Sequence, residues 1–260
     1  MSHAHDVVAL QRLYTYHERV HAAEIGYRAE ITPTVVRYID PQKQHSFVLH
    51  STLTVENADQ AIAEQIAYFD HPFEWKWYDY DQPADLLQRL EQHGFQIGEE
   101  EALMVLPIPN PPLAVNLPSE FSMRTITNPD DLGAVLNAVQ NPVFESEQDG
   151  WMNVALAEEL RNYPESLLFW AVYDGDQPIS AAWLRVSEDS PFGSLWGGAT
   201  LPAYRGQGIY TALVAQRMVV AHERGKQYLT VDASPMSRPI LQRRGFITLA
   251  HTRECVSPHP

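Results

Sequence analysis

The chain has 260 residues, of which 45% are hydrophobic and 20% charged, enough for about two domains with apolar cores. Its 33 acidic and 18 basic side chains give a net charge of −15. This charge repels nucleic acid and anionic lipid and favours cationic partners such as amines, so we expect no nucleic-acid or membrane partner.

Cysteine content and the absence of long apolar runs predict the compartment. Cys255 is the single cysteine, so no intramolecular disulfide can form. The sequence shows neither a charged-then-apolar leader nor an apolar run of about 18 residues. We therefore expect a soluble, cytoplasmic protein in which Cys255 is not a nucleophile.

The N-terminal residues alternate between helical and strand patterns. They predict helices at 6–24, 58–69 and 83–92, and strands at 34–39, 45–51 and 73–78. The aromatic residues of the last strand are expected to pack in a core, because no basic rim surrounds them as a base-stacking surface would require.

A proline-rich segment divides the chain. Residues 107–118 contain five prolines in twelve positions, which predicts an extended linker. We therefore predict one domain at 1–106 and another at 119–260.

The C-terminal half repeats the order of the first. Its patterns predict a helix starting at Asn128–Asp131, a helix at 151–161, a hairpin over 169–186, a strand at 227–232 and a short helix before Gly245. Both halves place a Gly-Phe pair after that last helix, at Gly94-Phe95 and Gly245-Phe246. The N-terminal half is therefore interpreted as a diverged, partial copy of the C-terminal half.

The segment 201–213 predicts a strand that runs through a glycine-containing turn into a helix. Gly206 and Gly208 allow a positive φ and close approach of the backbone to an anion, and Arg205 adds a positive charge. A Walker A loop is excluded because no Gly-Lys-Ser/Thr follows, and a dinucleotide fingerprint is excluded because the next glycine is Gly225. The pattern predicts a phosphate-binding turn of another kind.

This turn resembles the Arg/Gln-x-x-Gly-x-Gly/Ala loop of the GNAT superfamily of N-acetyltransferases. Arg205 and Gly208 match the motif, whereas Tyr210 stands where Gly or Ala is usual. The segment 233–246, ending in Gly-Phe, is similar to the second signature of that family. The resemblance covers 119–260, and two-domain members of the superfamily look like this chain.

The resemblance implies a mixed α/β fold, with a complete acyl-CoA N-acyltransferase copy at the C-terminus and a partial copy before it. It also implies acetyl-CoA as co-substrate and an amine acceptor, and a homodimer is one assembly to test. The residues that it implies for CoA binding are Ala199, Thr200, Leu201, Arg205, Gly206, Gln207, Gly208, Ile209, Tyr210, Thr211 and Ser237. The N-terminal half should not bind CoA, because its junction at 51–57 has no glycine and carries Glu56.

The catalytic side chains are less clearly marked. The tyrosine that many family members use to protonate the thiolate is replaced by Leu241, so Ser237, Ser234, Tyr210 or water would have to serve. Asp232 and two glutamates, Glu145 and Glu147, are candidates for the general base.

Two other functions stay open. The missing tyrosine is consistent with a non-catalytic acyl-CoA-binding or regulatory module. The motif His17-Glu18-Arg19-Val20-His21 matches the zinc-binding pattern His-Glu-x-x-His, but no third ligand can be identified from the sequence.

Overall fold

The computed structural model describes residues 6–144 and 151–258, and it divides the chain into two compact units. Unit 1 is built from Met1–Val105 and Asp232–Pro260, and unit 2 from Leu106–Val231. Each unit is a mixed α/β structure built on a run of hydrogen-bonded strands.

The elements largely follow the predicted order. The helices are α1 (Val7–Tyr14), α2 (Ala58–Tyr68), α3 (Leu86–Gln92), α4 (Pro129–Val135), α5 (Asn141–Phe144), α6 (Trp151–Asn162), α7 (Ile209–Glu223) and α8 (Arg238–Gln242). The strands are β1 (Arg28–Ile31), β2 (Val35–Ile39), β3 (Ser46–Ser51), β4 (Phe73–Tyr78), β5 (Gln96–Ile97), β6 (Glu101–Pro107), β7 (Phe121–Ile126), β8 (Leu167–Asp174), β9 (Gln177–Val186), β10 (Phe192–Thr200), β11 (Tyr228–Ala233) and β12 (Ile247–Val256). Wide, π-type turns at Thr15–Val20 and Leu136–Gln140 continue α1 and α4.

The sheet of unit 1 has the order β1-β2-β3-β4-β12-β6, with β5 beside β12. Strands β3 and β4 are parallel and joined by α2. The last strand of the chain, β12, pairs antiparallel with β4, so that Cys255 lies opposite Trp75. Residues 232–260 therefore pack with N-terminal residues, whereas the domain boundaries predicted from sequence place them with 119–231.

The core of unit 1 lies between its sheet and α2 and α3. Trp75, Ile62, Leu86 and Leu90 are fully buried there, and the aromatic strand packs inward as expected. Cys255 belongs to the same cluster, and burial raises the pKa of its thiol to about 12. A thiol in this environment stays protonated and is a poor nucleophile.

The sheet of unit 2 has the order β11-β10-β9-β8-β7. Strands β10 and β11 are parallel and joined by α7, and the other pairs are antiparallel. Helices α4 and α6 pack on one face, with Leu132 and Leu156 against Phe169 and Trp183. The N-terminus of α7 therefore follows the carboxyl end of β10, where open α/β sheets bind ligands.

Residues 108–120 form neither helix nor strand, and Pro107, the first residue of the predicted linker, is the last residue of β6. One hydrogen bond fixes the start of this segment, from the backbone N–H of Ile108 to the carbonyl of Gln227 at 2.8 Å. Among the helices that the structure describes, none has the length and apolarity needed to cross a bilayer.

A buried ion pair joins the N-terminal helical segment to the sheet of unit 1. Arg19 is 0% exposed and donates two hydrogen bonds of 2.8 Å to the two carboxylate oxygens of Asp81. Its Nε donates to the carbonyl of Leu49 at 2.9 Å, and its guanidinium lies 3.8 Å from the ring centroid of Tyr78. Every charged atom of the pair thus has a partner, which buried charges require.

We expect Arg19→Met to lower the free energy of unfolding by about 3–5 kcal/mol, because it leaves a buried carboxylate without its counter-ion. Urea unfolding of the whole chain measures the change. Arg28→Met is the control, because Arg28 is exposed and its ion pair with Glu30 contributes little. The double variant Arg19→Met/Asp81→Leu should recover most of the loss, and an Arg19→Met midpoint equal to that of the control would contradict the assignment.

Candidate functional site

The loop between β10 and α7 is built around two glycines with positive φ. Gly206 has φ +78° and Gly208, the N-cap of α7, has φ +84°. No described side chain caps the helix at this end. The first turn of α7 therefore presents backbone N–H groups and the positive end of the helix dipole to the solvent.

The space in front of this loop is open. Among the described residues, nothing lies within 4 Å of the position that a Cβ on either glycine would take. Arg205 is exposed beside the loop, with its Nε donating to the carbonyl of Thr200 at 3.1 Å. Gln207 is also exposed, and its side chain returns to the carbonyl of Ala203 at 3.3 Å. The loop thus combines an accessible backbone with a guanidinium, which suits a phosphate or pyrophosphate.

Strand β10 contains a bulge just before it reaches the loop. Its register with β9 shifts between Trp196 and Ala199. Gly197 has φ +57°, and a Cβ there would overlap the ring of Trp183. A Cβ on Gly198 would lie 2.7 Å from Cε2 of Tyr210. The two glycines are required because aromatic rings pack directly on this backbone.

The bulge follows the short parallel pairing of β10 with β11. That register covers Phe192–Ser194 and Tyr228–Thr230. On its other side β10 pairs antiparallel with β9, from Gly193 opposite Val186 to Thr200 opposite Ser180. The site in unit 2 is therefore the bulge, the loop and the first turn of α7, which are continuous along the chain.

Of the predicted CoA-binding residues, those from Ala199 to Thr211 all lie on this stretch of unit 2. The backbone N–H of Leu201 donates to the carbonyl of Ile179 at 2.9 Å, so it is already engaged. Ile209 is buried, whereas the ring of Tyr210 lies against Gly198. Burial raises the pKa of the Tyr210 phenol, while the charge of Arg217 opposes that rise.

Three buried polar side chains that sequence reasoning did not single out contact the bulge. They are Gln140, Ser180 and Arg217, each of which donates to a backbone carbonyl of β10. The one signal in the sequence is the position of Arg217 among apolar residues of α7, where a charged side chain is unusual.

Asp232 and Ser237 belong to unit 1. Asp232 Oδ2 lies 3.3 Å from Nζ of the buried Lys76, and Asp232 Oδ1 is buried without a hydrogen-bond partner among the described atoms. Lys76 Nζ also lies 3.4 Å from Oε2 of Glu101. Burial and nearby carboxylates raise the pKa of Glu74, on the same strand as Lys76, to about 7. Asp232 therefore shares one cation with other carboxylates.

The remaining residues that were considered for catalysis have different surroundings. Ser237 precedes α8, and its Oγ lies 3.3 Å from the Oγ of Ser234. Leu241 is fully buried. Glu145 and Glu147 lie outside the described residues.

The His-Glu-x-x-His motif begins on the π-type turn Thr15–Val20 and ends at its C-cap, His21. Its buried member is Arg19, while His17 is half-buried and His21 exposed, both against the ring of Tyr16. Among the described residues no group of three or more His, Cys, Asp and Glu side chains is arranged to hold a metal ion.

Unit 1 has a strand-to-helix junction of the same kind without the anion loop. After β3, the backbone N–H of Thr54 donates to the side chain of Asn57 at 2.7 Å, and no glycine is present. The parallel register of β3 with β4 ends at Val48, and the next carbonyl, of Leu49, accepts from Arg19. Unit 1 thus has a glycine-free junction after β3, and a buried ion pair contacts the strand before it.

One sequence family and several solved structures are similar to this chain. A sequence profile of the acetyltransferase (GNAT) family matches residues 134–246. No curated protein sequence matches the chain significantly.

Several solved structures share the fold. A GCN5-related N-acetyltransferase from Kribbella flavida is 15% identical, covers 97% of this chain and 94% of its own, and superposes with a TM-score of 0.66. A second, from Sphaerobacter thermophilus, is 16% identical over 88% of this chain and 81% of its own, with a TM-score of 0.59. A tandem GNAT protein from the clavulanic acid biosynthesis pathway, solved without AcCoA, is 10% identical over 91% and 85%, with a TM-score of 0.60.

The fold of the chain agrees with these comparisons, including the one with a tandem GNAT protein. Residues 134–246 match the GNAT acetyltransferase family, and the fold of the whole chain is similar to that of a tandem GNAT protein.

Proposed function

We propose that the protein transfers an acetyl group from acetyl-CoA to an amine of a small molecule or peptide. The observation that carries this proposal is the open loop at Gly206 and Gly208, inside the segment that matches the family. Both glycines have a positive φ, and no described side chain caps α7. Acetyl-CoA carries a pyrophosphate, which fits this combination of backbone N–H groups, helix dipole and Arg205.

The residues present would hold the co-substrate along one continuous stretch. The N–H groups from Gly206 to Thr211 would bind the pyrophosphate, and the bulge of β10 would place backbone N–H groups near the acetyl carbonyl. Acetyl-CoA supplies a thioester, whose carbonyl carbon bonds to the amine nitrogen as the C–S bond breaks.

The reaction then requires two proton transfers, for which side chains are the candidates. The attacking amine must lose a proton, for which Asp232 is the proposed base and Glu145 the second candidate. The leaving thiolate must gain one, for which Tyr210, Ser237 or water would serve, since Leu241 has no acidic proton. Tyr210 is protonated at neutral pH, because burial raises its pKa.

The acceptor is expected to be cationic before it reacts. A net charge of −15 raises the local concentration of protonated amines around the protein.

The alternative function, a non-catalytic acyl-CoA-binding module, is favoured by one observation, the fully buried Leu241 in place of the usual tyrosine.

We expect Gly208→Asp to abolish CoA binding while the fold is retained. The change places a carboxylate and a side chain where the pyrophosphate would lie, and strains a residue at φ +84°. Isothermal titration measures the affinity, and circular dichroism the fold.

Gly175→Asp is the matched control for this prediction. Gly175 also has a positive φ, +58°, with open space around it, but lies in the β8–β9 turn. Equal CoA affinity in the two variants would contradict the loop assignment.

One equivalent of CoA should bind per chain. Unit 2 has a glycine loop after its parallel strand, whereas the corresponding junction of unit 1, residues 51–57, contains no glycine and carries Glu56. Titration with a quantified protein concentration gives the stoichiometry. A second equivalent of similar affinity would show that the N-terminal copy also binds the cofactor.

We expect Asp232→Asn to lower kcat/KM by at least about tenfold with CoA affinity nearly unchanged, because a general base contributes about 10²- to 10⁴-fold. Release of free thiol with a panel of amines gives the rate. Glu101→Gln is the control, since Glu101 is another carboxylate that contacts Lys76.

Wild-type activity in Asp232→Asn would place the base elsewhere, with Glu145 the next residue to test. Equal losses in the two variants would assign Asp232 a structural role at Lys76. CoA binding by the wild type without thiol release across the panel would favour the non-catalytic module.

A further inference from the structure

The bulge of β10 is held by side chains that donate to three of its backbone carbonyls. Arg217 Nη1 donates to Trp196 O at 3.3 Å, and Gln140 Nε2 donates to Gly197 O at 2.5 Å. Ser180 Oγ donates to Ala199 O at 2.6 Å. The three donors are 1%, 3% and 0% exposed, so these bonds are shielded from water.

Arg217 is unusual among buried charges because its described partners are carbonyl oxygens and none is a carboxylate. Its Nε donates to Leu213 O at 3.1 Å, one turn earlier in α7, and its Nη1 also donates to Trp183 O at 3.3 Å. Nη2 has no hydrogen-bond partner among the described atoms. Burial lowers the pKa of Arg217 to about 10, which still leaves it charged at neutral pH.

The two carbonyls that Arg217 Nη1 contacts explain part of why a charged side chain is buried here. Trp183 and Trp196 are opposite each other in β9 and β10 at the last paired position before the register shifts. One guanidinium nitrogen donates to both of their carbonyls. A guanidinium can donate several hydrogen bonds in a fixed planar geometry, which suits it to hold the two strands at the start of the bulge.

Holding a carbonyl also fixes the N–H of the next residue. The peptide bond is planar and trans, so the N–H points away from the C=O of the same peptide group. Arg217 therefore sets the direction of the Gly197 N–H, and Gln140 that of the Gly198 N–H. A hydrogen bond to a carbonyl also polarises its peptide group and makes the N–H a better donor, more so when the partner is charged.

The conformation of Gly197 makes these side-chain contacts necessary. In a regular strand the ladder of hydrogen bonds fixes each peptide group, but the register of β10 with β9 is interrupted between Trp196 and Ala199. Gly197, at φ +57°, lies in that interruption. Glycine has the widest conformational freedom, so outside contacts are needed to select one orientation.

We propose that Arg217 and Gln140 are positioning residues for acetyl transfer, which orient and polarise the N–H groups of Gly197 and Gly198 toward the oxygen of the acetyl carbonyl. The inference rests on the proposed function, since it assumes an acetyl thioester at the bulge. It adds two side chains outside the glycine loop, of which Arg217 also acts through its charge on the phenol of Tyr210. Negative charge that develops on the carbonyl oxygen would then meet preorganised donors.

The test compares wild type with Arg217→Met, Arg217→Lys and Gln140→Ala. Calorimetry gives the affinities for acetyl-CoA and for CoA, whose ratio isolates the acetyl group. Infrared spectroscopy of acetyl-CoA labelled with ¹³C at the carbonyl reports hydrogen bonding to the thioester oxygen. Arg185→Met is the matched control, because the guanidinium of Arg185, on β9, lies 4.9 Å from the ring centroid of Trp196 but pairs with Glu159 instead of a β10 carbonyl.

We expect the affinity for acetyl-CoA relative to CoA to fall about fivefold in Arg217→Met and Gln140→Ala, as for loss of one hydrogen bond. The bound carbonyl band should move toward its frequency in free acetyl-CoA, and kcat should fall at least about tenfold, since loss of a whole donor costs about 10²- to 10³-fold. Arg217→Lys should be intermediate, and Arg185→Met should match wild type.

An unchanged affinity ratio and carbonyl band in folded Gln140→Ala and Arg217→Lys would overturn the inference, even if Arg217→Met does not fold. Equal losses of acetyl-CoA and CoA affinity would overturn it too, because a purely structural role affects both ligands. Failure of the wild type to bind acetyl-CoA is a separate result, seen without any variant, and would overturn the proposed function and this inference with it.

Discussion

The interruption of β10 at Gly197 and Gly198 is the constraint on which the site of unit 2 depends. Two aromatic rings, of Trp183 and Tyr210, pack where side chains of these residues would otherwise lie. Because the backbone loses regular pairing there, buried polar groups from a neighbouring strand and helices have to fix it. The same strand then leads into the glycine loop, so the two halves of the proposed donor site are covalently continuous.

The two units show how one βαβ arrangement can support different roles. In each, a parallel strand pair is joined by a helix, and a basic side chain donates to a carbonyl beyond the paired residues. In unit 1 Arg19 is neutralised by Asp81, which completes a packed structure. In unit 2 Arg217 has no described carboxylate partner, and its charge stays available to the bulge. The stability of one unit and the proposed chemistry of the other thus use buried arginines in different ways.

Local sequence patterns predict most elements but not the long-range pairings. The strand β4 and the helix α2 were predicted within a few residues, because hydrophobic periodicity is a local signal. Strand β1 was missed, since it is short and largely exposed. The insertion of β12 beside β4 could not be predicted, because register between distant segments leaves no local pattern. The glycine loop was recognised from its residues, whereas Arg217 was not, because arginine is rarely buried.

Hydrogen exchange with and without acetyl-CoA tests the central claim most directly, because it reports on individual backbone segments in the whole chain. We expect slower exchange at 206–211, where the N–H groups would bind the pyrophosphate, and at 197–200, where they would meet the acetyl carbonyl. CoA without the acetyl group should protect the first segment and leave the second nearly unchanged. Protection at 51–57 in unit 1, or none at 206–211 at saturating ligand, would contradict that claim.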